Sequence, residues 1–265
     1  MTFGDESSRG REVGWYSGVT MRETEELRLV GHAAVAPHLL GPAGGVRTGA
    51  LLTMLDNVGG LNGGLAALPE GWVVSTNLAA RVVQLAHVGP LRLDSGVLRR
   101  GRNAVVTSVT IRDEGARDAL VASGVLTSAI LVPENGPPEW SRPLVLDAPA
   151  GVPTELPVIT DWLGVRAVGD HAVEIDLEDR LRNPWGILHG GVVATLVDLA
   201  AEHATGGGHT TDVVLHFLAP NREGPVRATA RVLGQRTDGT VLRVEVQDVG
   251  SARTTAVAIA TSGPQ

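Results

Sequence analysis

Apolar and polar positions run through two matching series along this chain. In the first, an alternating segment at Leu27–Val35 is followed by a Gly-containing turn and a long apolar run at about Thr48–Leu65, which predicts a helix. In the second, the alternating segment is Val165–Leu177; within it the run His171–Glu178 has the period of a strand that faces water on one side. The second helix is predicted at about Gly190–Ala204. It carries Val193, Leu196, Val197, Ala200 and Ala204 on one stripe and has few polar residues elsewhere. A helix this apolar must be wrapped by other structure. Strand-like runs follow at Asp212–Leu218, Val226–Leu233, Val241–Val246 and Thr254–Ala260, separated by turn signals such as Thr237-Asp238-Gly239. One strand, one central helix and a run of antiparallel strands describe a sheet curled round a helix, and the pattern occurs twice.

The duplication is visible residue by residue. Gly41–Asp56 aligns with Asn183–Asp198 at an offset of 142, with Pro42/Pro184, Gly44/Gly186, Gly49/Gly191, Thr53/Thr195 and Asp56/Asp198 identical. Asn77–Gly115 aligns with Asp212–Gly250 at an offset of 135 without a gap, and Gly89-Pro90-x-Arg92 and Asp113-x-Gly115 recur as Gly224-Pro225-x-Arg227 and Asp248-x-Gly250. Single matches are cheap in a chain rich in Gly, Ala and Val; two collinear blocks in one order are the mark of an internal repeat. Pro133–Pro157 holds seven of the fifteen prolines. Proline fixes φ and lacks the amide donor, so this stretch is excluded from helix interiors and central strands and reads as a linker. The predicted organisation is a first domain at 1–132, a linker at 133–157 and a second domain at 158–265.

Composition narrows the function. The chain has 265 residues, 43% of them hydrophobic and 19% charged, enough for two ordinary domains of globular character. A net charge of −7 gives a nucleic acid or an anionic membrane no electrostatic support. All 22 basic residues are Arg. With no Cys there is no disulfide, thiolate metal site or Cys nucleophile. The segment at 1–18 has no apolar core of the signal-peptide kind, and no apolar run reaches about 18 residues, so a cytoplasmic protein without membrane insertion is expected. His203 with His209, and His32 with His38, lie close in sequence but lack a third ligand at metal spacing, so no metal is expected. The run Gly206-Gly207-Gly208 lacks the Lys-Ser/Thr of a phosphate cradle.

Several residues break the local pattern. Asp56 and Asp198 each sit mid-helix among apolar neighbours, where a carboxylate costs several kcal/mol unless paired. Such a break marks either a structural hydrogen bond or chemistry. Gly190 opens a helix whose first amides have no internal partner and carry the positive end of the dipole, and glycine there lets a substrate approach the backbone. Gly190 can equally serve a tight turn. Asn183 suits either a substrate hydrogen bond or a loop cap.

The segment Asn183–Asp198, Asn-x-x-Gly-x-x-His-Gly-Gly with an Asp nine residues after the His, resembles the motif of hotdog-fold acyl-CoA thioesterases of the phenylacetate-pathway type. Asn183, Gly186, His189, Gly190, Gly191 and Asp198 match it in spacing, and the resemblance covers most of residues 160–262. In the first repeat Arg47-Thr48-Gly49 replaces His-Gly-Gly and Gly41 replaces the Asn. The resemblance implies an α+β fold, a tandem or double hotdog: two antiparallel sheets, each wrapped around a long central helix, joined as a single-chain pseudo-dimer. Further pairing of pseudo-dimers, helix to helix or back to back, is compatible with such a fold. It also implies active sites shared between partners. One partner supplies the Asn and the helix-start Gly amide; the other supplies the helix Asp and a Ser or Thr at the start of the next strand. Asn183, His189 and Gly190 with Asp56 and Ser75 then make one complete site. The reciprocal site combines Gly41 and Thr48 with Asp198 and Thr210; it lacks the Asn, and Thr48 puts a Cβ where Gly is usual. Gly191, Trp185 and Arg222 are the residues expected to contact substrate, Arg222 through the CoA phosphates. The implied reaction is hydrolysis of an acyl-CoA thioester in lipid metabolism, with CoA as substrate and no cofactor. Asp56 would act as general base or as nucleophile. Two other readings are an acyl-thioester hydratase, to whose Asp-x-Asn-Pro-x-His pattern Asn183-Pro184 and His189 are faintly similar, and a catalytically silent acyl-CoA-binding module. The hydratase spacing is missing, and retention of the helix Asp in both repeats favours an enzyme.

Overall fold

The structure, a computed structural model, describes residues 11–134, 136–147 and 155–263. The opening residues 1–10 and part of the Pro-rich segment lie outside the described residues.

The first half begins with a short helix α1 (Arg11–Ser17) and strands β1 (Thr20–Glu25) and β2 (Arg28–Ala33). The long helix α2 (Thr48–Ala67) follows, then β3 (Trp72–Val82), β4 (Leu91–Arg100), β5 (Ala104–Asp113) and β6 (Ala119–Leu131). A two-residue strand β7 (Val145–Leu146) comes from the Pro-rich stretch. The second half repeats the series: α3 (Ile159–Leu163), β8 (Arg166–Val168), β9 (Ala172–Ile175), α4 (Gly190–Thr205), β10 (Thr210–Phe217), β11 (Val226–Arg236), β12 (Gly239–Asp248) and β13 (Arg253–Ser262).

Where two sheets were expected, the described residues form one of thirteen strands, in the order β7-β1-β2-β4-β5-β6-β3-β10-β13-β12-β11-β9-β8. The halves join where β3 pairs antiparallel with β10, so edges that would otherwise expose unpaired backbone are consumed in the seam. The register carries the repeat: Ala79 pairs with Val214, and Asn77 and Arg81 pair with His216 and Asp212. The offset of 135 maps this ladder onto itself.

Both helices lie in the core. In α2 only Asn57, Gly60 and Leu61 are partly exposed. Leu51, Met54 and Leu55 are at most 1% exposed, each contributing roughly 1.5–3 kcal/mol of burial. The helices cross where each is narrowest. A Cβ on Gly191 would lie 2.8 Å from Thr53 Cα, and one on Gly49 would lie 3.0 Å from Thr195 Cα. The Thr53 and Thr195 hydroxyls lie 3.0 Å apart, and each donates to a carbonyl across the crossing, Gly191 O and Gly49 O respectively, at 2.9 Å. The contact is self-complementary, as at a two-fold interface.

Three expectations change. Val165–Leu177 is not one strand but the hairpin β8–β9, turned at Gly169. The water-facing side expected of His171–Glu178 is covered over β9, all four residues of which are buried. Its Glu174 is tolerated because Arg166 and Arg227 pair with it at 3.2 and 2.7 Å. The Pro-rich stretch also packs against the first half: β7 pairs with β1, Leu144 is buried, and Arg142 Nε donates to Glu23 at 2.7 Å.

Candidate functional site

The loop before each helix closes the same way. Gly41 N–H donates to Gly45 O at 2.8 Å and Gly44 N–H to Gly41 O at 3.0 Å; Asn183 N–H donates to Ile187 O and Gly186 N–H to Asn183 O at 2.8 and 2.9 Å. Asn183 adds a side chain to this frame. Its Oδ1 accepts from Trp185 N–H at 3.0 Å and Ile187 N–H at 3.4 Å, so the amide oxygen caps its own loop.

At the start of α4 the His189 backbone is extended, and its Nδ1 accepts from Gly191 N–H at 3.0 Å. That bond assigns the ring proton to Nε2. Burial pushes the His189 pKa down, partly opposed by the Asp56 charge, so the ring is neutral. The next amide, Gly190 N–H, donates no hydrogen bond among the described residues. Facing this helix start across the helix pair is Asp56 of α2, 5% exposed. Ser75, from β3, donates its hydroxyl to Asp56 Oδ1 at 2.7 Å. Asp56 Oδ2 lies 3.4 Å from His189 Nδ1. With Nδ1 committed to Gly191 N–H, this is a close approach of polar atoms, not an ion pair. A Cβ on Gly190 would sit 2.8 Å from Asp56 Oδ2, so only glycine fits against the carboxylate. Trp185 is half-buried and ties the loop to the other half, its indole N–H donating to Val73 O in β3 at 3.0 Å, two residues before Ser75. Asp56, Ser75, His189, Gly190, Trp185 and Asn183 are therefore brought to one place from both halves.

The reciprocal cluster is wired differently. Asp198, 1% exposed, accepts Gly49 N–H at 2.8 Å. Arg47 replaces His189. Its guanidinium lies 4.0 Å from Asp198 Oδ2 and is ion-paired to Glu202. Burial holds the Glu202 pKa up, although Arg47 pulls it down. Thr48 Oγ1 donates to Thr210 O at 2.6 Å. Thr210 is fully buried, and its own hydroxyl has no partner among the described residues, whereas its counterpart Ser75 reaches Asp56. Both strands bulge next to these residues, between Ser75 and Asn77 and between Thr210 and Asp212.

The remaining candidates separate. Gly191 belongs to the helix crossing, against Thr53. Arg222 is exposed beside the motif loop: Asn221 O accepts from Leu188 N–H at 3.2 Å, and Arg222 O accepts from Arg182 at 3.2 Å. No group of three His, Cys, Asp or Glu placed to hold a metal occurs among the described residues. His203 bonds Gly169 O, and His38 bonds Tyr16 O. Among the described residues no helix is long and apolar enough to cross a membrane. Sequence reading noted Arg47 only as a replacement for the motif His and missed Glu202, its partner. The offset of 142 sets Arg47 against His189 and Glu202 against Gly60, and those unlike pairs were the available signal.

Residues 181–263 match the family model for the acyl-CoA thioesterase N-terminal domain. A Saccharolobus solfataricus protein, provisionally named an esterase, is 30% identical over 89 residues, covering 31% of this chain and 59% of that protein. The matched stretch thus spans about three fifths of the length of this curated relative. A protein of Novosphingobium aromaticivorans, provisionally named a thioesterase, has a similar solved structure: TM-score 0.61, 18% identity, 92% of this chain and 98% of that one. The 12:0-ACP thioesterase of Umbellularia californica gives 0.64 at 10% identity over 92% and 100%. The tesB protein of Mycobacterium avium subsp. paratuberculosis gives 0.59 at 14% over 97% and 100%. At these identities the likeness establishes the fold, which is of the hotdog type.

Proposed function

We propose, from the match of residues 181–263 to a thioesterase family model, that this chain hydrolyses acyl-CoA thioesters at a composite site between two hotdog repeats. The two repeats are the domains at 1–132 and 158–265, with the Pro-rich segment between them, and the arrangement is a double hotdog. The observation that carries the reading is the meeting of Asp56 and Ser75 from the first half with the unpartnered Gly190 N–H from the second.

The chemistry follows from the parts. The thioester carbonyl oxygen lies against Gly190 N–H at the positive end of α4. An N–H aimed at the developing oxyanion is worth about 3 kcal/mol in such sites. Asp56 takes a proton from water, which attacks the carbonyl carbon; the C–S bond breaks and the CoA thiolate leaves. Ser75 holds the Asp56 carboxylate in one rotamer through Oδ1 and leaves Oδ2 on the side of Gly190. His189 is neutral, supplies no proton at Nδ1, and holds the helix start in place. Asn183 shapes the loop through Oδ1. Trp185 closes the entrance, and Arg222, exposed beside the loop, meets the CoA phosphates. The reciprocal cluster of Asp198 and Thr210 is degenerate.

The test is free-thiol release from short, long and aromatic acyl-CoAs, and from acyl-ACP, on wild type and D56A. Turnover on acyl-CoA that collapses in D56A supports the reading, and the panel ranks the acyl group. Binding without turnover makes the chain a silent acyl-CoA module. Turnover on acyl-ACP alone changes the carrier.

A further inference from the structure

Arg47 and Glu202 are a matched departure from the repeat. At the competent helix start the corresponding positions hold His189 and Gly60. Neither change would survive easily alone. The Arg47 side chain is 8% exposed, and a buried guanidinium needs a counter-charge; Glu202 is 22% exposed and supplies it. Together they form an ion pair from the start of α2 to the last turn of α4, with Asp198 within 4.0 Å.

The pair changes what Asp198 does. At the other start, His189 satisfies Gly191 N–H and leaves the Asp56 carboxylate to Ser75 alone. Arg47 makes no side-chain cap, so Gly49 N–H turns to Asp198 Oδ2 instead. The cavity bounded by Arg47, Thr48, Asp198, Glu202 and His209 has a volume of about 20 Å³. That is room for about one water. Arg47 and His209 line it, and Arg47 Nε, His209 Nδ1 and Thr210 Oγ1 are buried without partners among the described residues.

We propose that the Arg47–Glu202 ion pair is a lock that excludes acyl thioester from the reciprocal cluster and holds Asp198 as a helix cap, leaving one substrate site per chain. This rests on the acyl-CoA reading above. Reverting the departures, as Arg47→His, Thr48→Gly and Glu202→Ala, removes the guanidinium, the added Cβ and the unpaired acid together. Calorimetry with a non-hydrolysable thioether analogue of the best-hydrolysed acyl-CoA reads the result directly. The wild type should bind one equivalent per chain and the triple variant two. If the triple variant does not fold, Arg47→His, Thr48→Gly and Glu202→Gln removes both charges together, keeps the side-chain volume on α4 and gives the same readout. Two equivalents on wild type, or one on a folded unlocked variant, overturns the lock. No binding to wild type overturns the acyl-CoA reading instead.

Discussion

The starts of α2 and α4 occupy equivalent places in one sheet-and-helix frame, yet their polar groups are connected in opposite ways. At α4 the helix caps itself through His189, and the facing Asp56 is bonded by a hydroxyl and stands open to a bare amide. At α2 the helix is capped from across the interface by Asp198, and a buried arginine fills the space beside it. Equivalent backbones and an identical Asp therefore do not make equivalent sites. What decides is which group satisfies the second amide of the helix.

The strongest way to break this comparison is to remove each Asp in turn. D56A should lower turnover by about 10²–10⁴-fold, the usual range for a positioned general base. D198A should hold turnover near wild type and instead lose roughly 1–3 kcal/mol of stability in urea unfolding, because Gly49 N–H is left buried and unpartnered. Equal losses of turnover would defeat the assignment of Asp56. Next is G190A, whose Cβ would press on the Asp56 carboxylate. A displacement of about 1 Å at a reacting group costs on the order of 10²-fold, so kcat should fall by about that factor while D56A/G190A is no worse than D56A. S75A is milder. A hydrogen bond to a charged group is worth about 1.5–3 kcal/mol, which sets a loss of about 10- to 100-fold in kcat/KM; the exchange T210A should leave kcat/KM unchanged.

The smallest effect concerns two other repeat-related carboxylates, Asp113 and Asp248. Burial pushes both pKa values up, but backbone N–H groups, from Val88, Gly89 and Ala116 on one and from Arg222, Glu223, Gly224 and Ser251 on the other, bring them below the ordinary range. A depressed folded pKa gives stability that is full above the unfolded value of about 3.9 and is lost as pH falls through the folded one. Urea midpoints of D113N and D248N should therefore lie below wild type at pH 6 and converge on it as the solution is acidified below about pH 4. A gap that persists at low pH would mean these carboxylates stabilise by something other than their charge.

Much of this frame was legible in the chain. The two long helices were predicted to start at about Thr48 and Gly190, where α2 and α4 do begin, because glycine, apolar run and turn signals coincide there. The association of Asp56 and Ser75 with Gly190 was reached through the repeat and the motif resemblance. Two kinds of information were missing. Strand pairing across the seam depends on β3 and β10 meeting edge to edge, which no local pattern encodes, so one sheet was read as two. The burial of Glu174 depends on Arg166 and Arg227, and the capture of Asp198 depends on Arg47, 151 positions away; alternation and spacing record neither. Asn183 shows the limit of residue-type reasoning: an amide suits a carbonyl ligand and a loop cap equally, and the bonds from Trp185 and Ile187 give its Oδ1 the cap role without engaging its Nδ2.

The Pro-rich segment, anchored by β7 on β1 and by Arg142 on Glu23, has a consequence for how the molecule can change over time. In an assembly of identical subunits every substitution is made at both interfaces at once. An arginine at one helix start would appear at the other and destroy the only sites there are. Carrying both helix starts on one polypeptide lifts that constraint. One start can keep His189 while the other acquires Arg47, and the partner acid can arise on a single helix. Covalent linkage thus gives this fold heredity for asymmetry, and the second helix start becomes raw material that mutation can reach without altering the first.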